Sequence, residues 1–161
     1  LTAGKTPLRV AGVEVLDGSY TIGLDPLYDT TANEAGGFDY TVYQCRDSQK
    51  LSGSITADYE DTGIVYSGMP SGWNYVKAFI KSKLGVLFPK LIGGSSTTYF
   101  KSAFYGTSSA GVRCPWRFAG LSNGGAAGLA AGNGNVAPGY SNWSSRPRLC
   151  GAGKKRGEWS A

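Results

Sequence analysis

Apolar and polar residues alternate most clearly over Phe38–Cys45. Phe38, Tyr40 and Val42 fall on one face, and Asp39, Thr41 and Tyr43 on the other. A period of two predicts a strand there. Leu8–Leu16 is rich in β-branched residues, Asp17-Gly18 is a turn signal, and Ser19–Leu24 follows as a second strand. Together they predict a hairpin. Asp25-Pro26 interrupts the pattern, and the small polar run 30–37 predicts a loop. Leu51–Tyr59 and Gly63–Tyr66 are weaker strand candidates. The period then changes. Trp73, Val76, Ile80, Leu84 and Leu87 recur near helical spacing, with Phe79 beside them and Lys77 and Lys81 on the more polar side. Ser71 or Gly72 caps the start, Gly85 is placed like a C-cap, and Pro89 ends any continuation. This predicts a helix over about residues 72–84.

Beyond it, Thr97–Tyr105 and Val112–Ala119 predict a hairpin linked through residues 107–111. The stretch 120–149 is rich in Gly, Ala, Asn and Ser, yet holds Leu129, Val136, Tyr140 and Trp143. A structureless loop of that length is uncommon in a compact domain. Short strands at Ala127–Ala131 and Ser145–Cys150 are expected, joined by a loop that Asn and Ser side chains keep ordered. The fold class these elements predict is α+β: β-rich, with one clear helix and a long ordered Gly/Asn-rich loop region. Residues 1–68 form a β-rich N-terminal part in this reading, residues 69–153 a second unit packed with or attached to it, and residues 154–161 a basic tail.

Composition narrows the chemistry. The chain has 161 residues and no histidine, which excludes a Ser-His-Asp or Cys-His nucleophile and any His-bearing zinc or iron site. Cys45, Cys114 and Cys150 are widely spaced and form no CxxC pair, so no zinc or redox motif is supported. Cys114 and Cys150 could pair, but buried free thiols are favoured. Residues 1–61 carry ten acids and four bases, whereas residues 62–157 carry twelve bases and no acid. Such segregation points to an anionic partner, or to a basic half neutralised by the acidic half of the same chain. It also leaves residues 62–157 without a carboxylate for general-base work or for holding calcium. No apolar run is long enough to span a membrane, and no metal or cofactor is expected.

One resemblance adds to this reading. Gly120-Leu121-Ser122-Asn123-Gly124-Gly125-Ala126-Ala127-Gly128-Leu129, then Asn133-Gly134-Asn135-Val136-Ala137-Pro138-Gly139-Tyr140-Ser141-Asn142-Trp143, then Arg148-Leu149, resembles the C-type-lectin-fold variable-region modules of phage tail and bacterial surface proteins. These include targets of diversity-generating retroelements. Pro70-Ser71-Gly72-Trp73, Leu87-Phe88-Pro89 and Gly93-Gly94-Ser95-Ser96-Thr97 fit phage members, so the resemblance covers roughly residues 69–149. Arg146 stands where the family has Gly before x-Arg. The resemblance implies a C-type-lectin-like fold and a non-enzymatic recognition or adhesion module, sited on a virion or a bacterial cell surface. The displayed positions it implies are Arg117, Leu121, Asn123, Gly125, Ala131, Asn133, Asn135, Tyr140, Asn142, Trp143 and Ser145, with Arg146 added. Tyr140 and Trp143 are the expected anchors, in the way that aromatic side chains anchor antibody paratopes.

The implied partner is a bacterial surface protein or glycan, with other virion proteins and further copies of the chain, such as a trimer, as assembly partners. Without acids in residues 62–157, a calcium-dependent sugar site is not expected. Two other readings stand beside this one. The first is a structural virion protein, a decoration or tail-tip subunit. The second is a basic nucleic-acid-binding domain, to which the twelve bases of residues 62–157 point.

Overall fold

The computed structural model describes residues 9–10, 13–14, 20–117, 132–140 and 145–147. The strands are β1 (Arg9–Val10), β2 (Val13–Glu14), β3 (Tyr20–Ile22), β4 (Leu27–Ala32), β5 (Phe38–Cys45), β6 (Tyr59–Met69), β7 (Gly72–Lys81), β8 (Leu87–Ile92), β9 (Ala103–Gly106), β10 (Gly111–Arg117), β11 (Gly132–Val136) and β12 (Ser145–Pro147). Among the described residues, β1 and β2 pair only with each other. The remaining ten form one sheet, in which eight follow the order β6-β5-β4-β10-β11-β9-β7-β8. Its two end strands, β6 and β8, come into contact, so the sheet curls into a nearly closed barrel. β3 adds to β10 and carries β12 beside it. β6 runs through residues 59–69, so one sheet includes strands from both sides of residue 68.

The inside of the curl is filled by aromatic rings. Tyr28, Tyr40, Phe88 and Phe104 meet with centroids 5.2–6.4 Å apart, mostly edge to face. That arrangement suits the ring quadrupoles. Val42, Ile64, Met69, Val76 and Val86 complete this core. A second cluster joins Leu27, Cys45, Tyr59, Cys114, Trp116 and Val136, with Leu51 and Ile55 packed against it. Leu27 and Tyr28 are neighbours in sequence yet enter different clusters, because successive strand residues point to opposite faces. Asp25-Pro26, a cis peptide, precedes β4.

The α+β expectation, a C-type-lectin-like fold with one clear helix, is overturned by this nearly closed barrel: among the described residues there is no α-helix, only one 3₁₀ turn at Ser48–Lys50. The expected helix over 72–84 is strand β7 followed by a hairpin turn into β8. The cause is visible in the register. The β7–β8 ladder shifts between Val76 and Ala78 and again between Ala78 and Phe79. Irregularities of this kind disrupt the period of two. They leave Val76, Phe79 and Ile80 all packed on the same core, a spacing that imitates a helix face. Gly85 is not a helix cap. It sits at φ 92° in the turn, where its N–H donates to the Ser82 carbonyl while the Ser82 N–H donates to the Val86 carbonyl.

Three further expectations are corrected. The loop expected over residues 30–37 is strand as far as Ala32, and only residues 33–37 turn. There Asn33 Oδ1 accepts from the Ala35 N–H and Gly37 takes φ 76°. β9 and β10 do not form a hairpin, because β11 lies between them. β3 pairs with β10 and β12 rather than with the Leu8–Leu16 segment, within which β1 and β2 pair instead. The strand over Phe38–Cys45 is where the alternation places it, with Tyr40 and Val42 fully buried.

Candidate functional site

β11 is a strand within what the composition presents as an Asn-rich loop, and its sequence explains its place. A Cβ on Gly132 would lie 3.1 Å from the Phe104 ring, and one on Gly134 would lie 2.6 Å from it. These glycines therefore face the aromatic core, and Asn133 and Asn135 face outward. The two amides are used structurally. Asn133 Oδ1 accepts from the Asn135 N–H at 2.8 Å. Asn135 Oδ1 accepts from Thr107 Oγ1 at 2.9 Å and from the Ser108 N–H at 3.1 Å. Together they tie the β9–β10 connection to β11.

The pairing register lines up one row across four strands. Trp73 on β7 opposes Tyr105 on β9, Tyr105 opposes Asn133 on β11, and Asn133 opposes Trp116 on β10. Residues opposite one another in a ladder share a face. The Trp73 and Tyr105 rings meet at 5.2 Å and 86°. At the other end Tyr140 packs on Trp116 at 5.4 Å and 64°. The Tyr140 N–H donates to the Ala137 carbonyl, so the turn through Pro138-Gly139 holds this ring over Trp116. Trp116 is thereby buried, and Tyr140 stays 47% exposed.

Of the displayed positions implied by the resemblance, Asn133, Asn135 and Tyr140 lie on this surface. Arg117, Ser145 and Arg146 are described in backbone only. Arg117 and Arg146 are both register partners of Thr21 on β3, and Ser145 pairs with Tyr20. Leu121, Asn123, Gly125, Ala131, Asn142 and Trp143 lie outside the described residues. The surface also contains residues that the sequence reading did not select. Trp73, Tyr105, Tyr99 and Phe100 belong to it, and the alternation Trp73-x-Tyr75-x-Lys77 was the signal for their side of β7.

Tyr99 and Phe100 project from the loop between β8 and β9, exposed by 58% and 53%. Ser95 Oγ accepts from the Thr97 and Thr98 N–H groups, and Gly93 and Gly94 donate to the Tyr75 carbonyl. These bonds hold the loop against β7. Within it Tyr99 and Lys101 take φ 54° and 52°, a left-handed conformation uncommon outside glycine. The Lys77 ammonium lies 5.2 Å from the Tyr99 ring centroid, and Phe100 meets Phe79 at 4.9 Å.

Elsewhere a shallow depression of about 250 Å³ is lined by Asp25, Pro26, Gln44 and residues 84–87. Burial raises the Asp25 carboxyl above its ordinary range, against a hydrogen bond from the Cys45 N–H. Among the described residues no group of His, Cys, Asp and Glu is placed to hold a metal ion. Cys45 and Cys114 are buried free thiols. Burial pushes the Cys114 thiol up from 9.0 to about 11 and raises the Tyr40, Tyr59 and Tyr66 hydroxyls above 10.0. A raised folded-state value stabilises the fold fully below the unfolded value and is lost as pH rises through the folded one. The thermal midpoint is therefore expected to decline from near pH 9.0 and more steeply past 10.0, as unfolded thiols and phenols begin to ionise. A midpoint that stays flat up to pH 11, measured by circular dichroism, would contradict this.

Among the described residues no helix is long and apolar enough to cross a membrane. No protein-family model, curated protein or solved structure matches the chain at a significant level.

Proposed function

We propose that this chain is a non-enzymatic recognition module of a phage tail or surface structure, and that it binds a receptor on a bacterial surface. The observation that carries this reading is the row Trp73–Tyr105–Asn133–Trp116, capped by Tyr140, on the outside of a barrel whose interior is filled. With aromatic rings occupying the inside, recognition falls to the outer face. Trp73 and Tyr140, the exposed rings at the two ends of this row, stand beside hydrogen-bonding amides, the composition of binding surfaces that adapt to many partners. The phage and bacterial setting rests on the resemblance of residues 69–149.

The test is saturable adsorption of the labelled chain to a panel of bacterial strains. Binding to a subset of strains is expected, and Trp73→Ala and Tyr140→Ala should each weaken it by roughly tenfold, as loss of an aromatic anchor does. Adsorption to no strain, or adsorption unchanged in both variants, would sink the reading. A structural virion subunit is the second reading, favoured by the exposed Leu87 and Leu91 on β8. Concentration-dependent self-association that Leu87→Lys abolishes would support it instead.

A further inference from the structure

We infer that the surface formed by β7 and the loop before β9, around Trp73, Lys77, Tyr99, Phe100 and Lys101, binds an acidic polysaccharide. The inference rests on the recognition reading above and names the chemistry of its ligand.

Charge is the first support. Lys77, Lys81, Lys83, Lys90 and Lys101 are all exposed on or beside the β7–β8 hairpin and its following loop. Among the described residues none of them forms an ion pair; the pairs that do form, Arg46–Glu60 and Lys50–Asp58, lie elsewhere. The chain supplies no acid anywhere between residues 62 and 157. A surface rich in one sign attracts the opposite sign.

Presentation is the second support. Tyr99 and Lys101 take left-handed backbone in a loop where Ser95 Oγ accepts from the Thr97 and Thr98 N–H groups and the Lys101 N–H donates to the Thr98 carbonyl, and both side chains are exposed. Keeping two non-glycine residues in this conformation costs free energy, and such cost concentrates at ligand clamps and other functional positions. A core contact does not account for it, since Tyr99 is mostly in solvent. Its ring instead carries the Lys77 ammonium near one face.

Shape selects the polymer. The Trp73 and Tyr105 rings, on the outer row, stand at 86°. Rings set at right angles offer a floor and a wall. A puckered sugar ring presents C–H groups to both, whereas successive flat bases want parallel platforms. Asn133 and Tyr105, in register with Trp73, place an amide and a phenol in the same row, suited to sugar hydroxyls. Carboxylates along the chain would meet Lys77 and Lys101.

The experiment measures binding of the whole chain to polygalacturonate, alginate and hyaluronate, with neutral dextran and a single-stranded oligothymidylate as rivals. At least one uronic-acid polymer is expected to bind, more weakly as salt rises, and dextran is not. The double variant Lys77→Gln/Lys101→Gln and the single variant Tyr99→Ala should each weaken it by roughly tenfold. Lys50→Gln, whose ammonium pairs with Asp58 away from this face, should bind as the native chain does. Near-ultraviolet circular dichroism confirms that each variant keeps the aromatic core. The inference is overturned if no uronic-acid polymer binds, if dextran binds equally, if the variants bind unchanged, or if the oligothymidylate binds more tightly. Strain-specific adsorption without any polymer binding would remove the acidic ligand and leave the recognition reading standing. Loss of adsorption to every strain removes that reading itself.

Discussion

Phe88→Ala is expected to be the most damaging single truncation in the described core, lowering stability by about 3–5 kcal/mol. Phe88 is fully buried and meets three other rings: Tyr28 at 5.2 Å, Tyr40 at 5.5 Å and Phe104 at 5.2 Å. These rings come from β4, β5 and β9, while Phe88 belongs to β8, an end of the curled sheet. Its removal leaves a void bounded by aromatic rings that cannot easily collapse, because each is packed on the others. The cost then includes lost transfer energy and the cavity. β8 also meets β6 where the barrel nearly closes, so the loss should loosen closure as well as packing. Urea unfolding followed by tryptophan fluorescence gives the number. A loss below about 1 kcal/mol would mean that the ring cluster is not the centre of the fold.

Gly134→Ala should cost about 1–3 kcal/mol or more through overpacking. Its Cβ would lie 2.6 and 2.9 Å from Phe104 ring atoms and 3.2 Å from the Tyr40 ring. Neither ring has room to yield. Tyr40 is fixed further by its hydroxyl, which accepts the Thr107 N–H at 2.5 Å. Gly139→Ala is the matched control. It lies five residues along the same segment, with nothing within 4 Å of its Cβ and no left-handed φ. That substitution should change stability by no more than about 0.5 kcal/mol. Equal effects at both positions would mean that Gly134 does not face the core. Unequal effects would confirm that a segment of loop-like composition is a strand with one face against aromatic rings.

The two variants probe the places where pattern and fold diverge. Phe38–Cys45 was legible because its alternation is local and one face is simply buried. β7 was not, because register shifts opposite β8 place Val76, Phe79 and Ile80 on one core, and no local signal distinguishes that spacing from a helix turn. β11 was not legible either. Alternating Gly and Asn carries no hydrophobic period, and the glycines are explained only by rings that come from β5 and β9. The same holds for the candidate surface. The resemblance of the Asn- and Gly-rich run is what singled out Asn133, Asn135 and Tyr140, but their neighbours Trp73 and Tyr105 are far away in sequence. Pairing register alone brings them together.

By itself the sequence determined the chemistry that is absent and the charge that is segregated: no histidine anywhere, and a stretch from residue 62 to 157 with twelve bases and no acid. It also determined the strands whose alternation is self-contained. The tertiary structure decided the rest: the fold class, the use of β7 as a strand, the place of β11 between β9 and β10, and the outer row that joins Trp73 to Trp116. The physical reason is the range of the forces involved. Composition, charge and side-chain period act within a few residues. Strand order, register shifts and ring packing are settled by partners tens of residues away, and the energy of those non-local contacts overrides local preference.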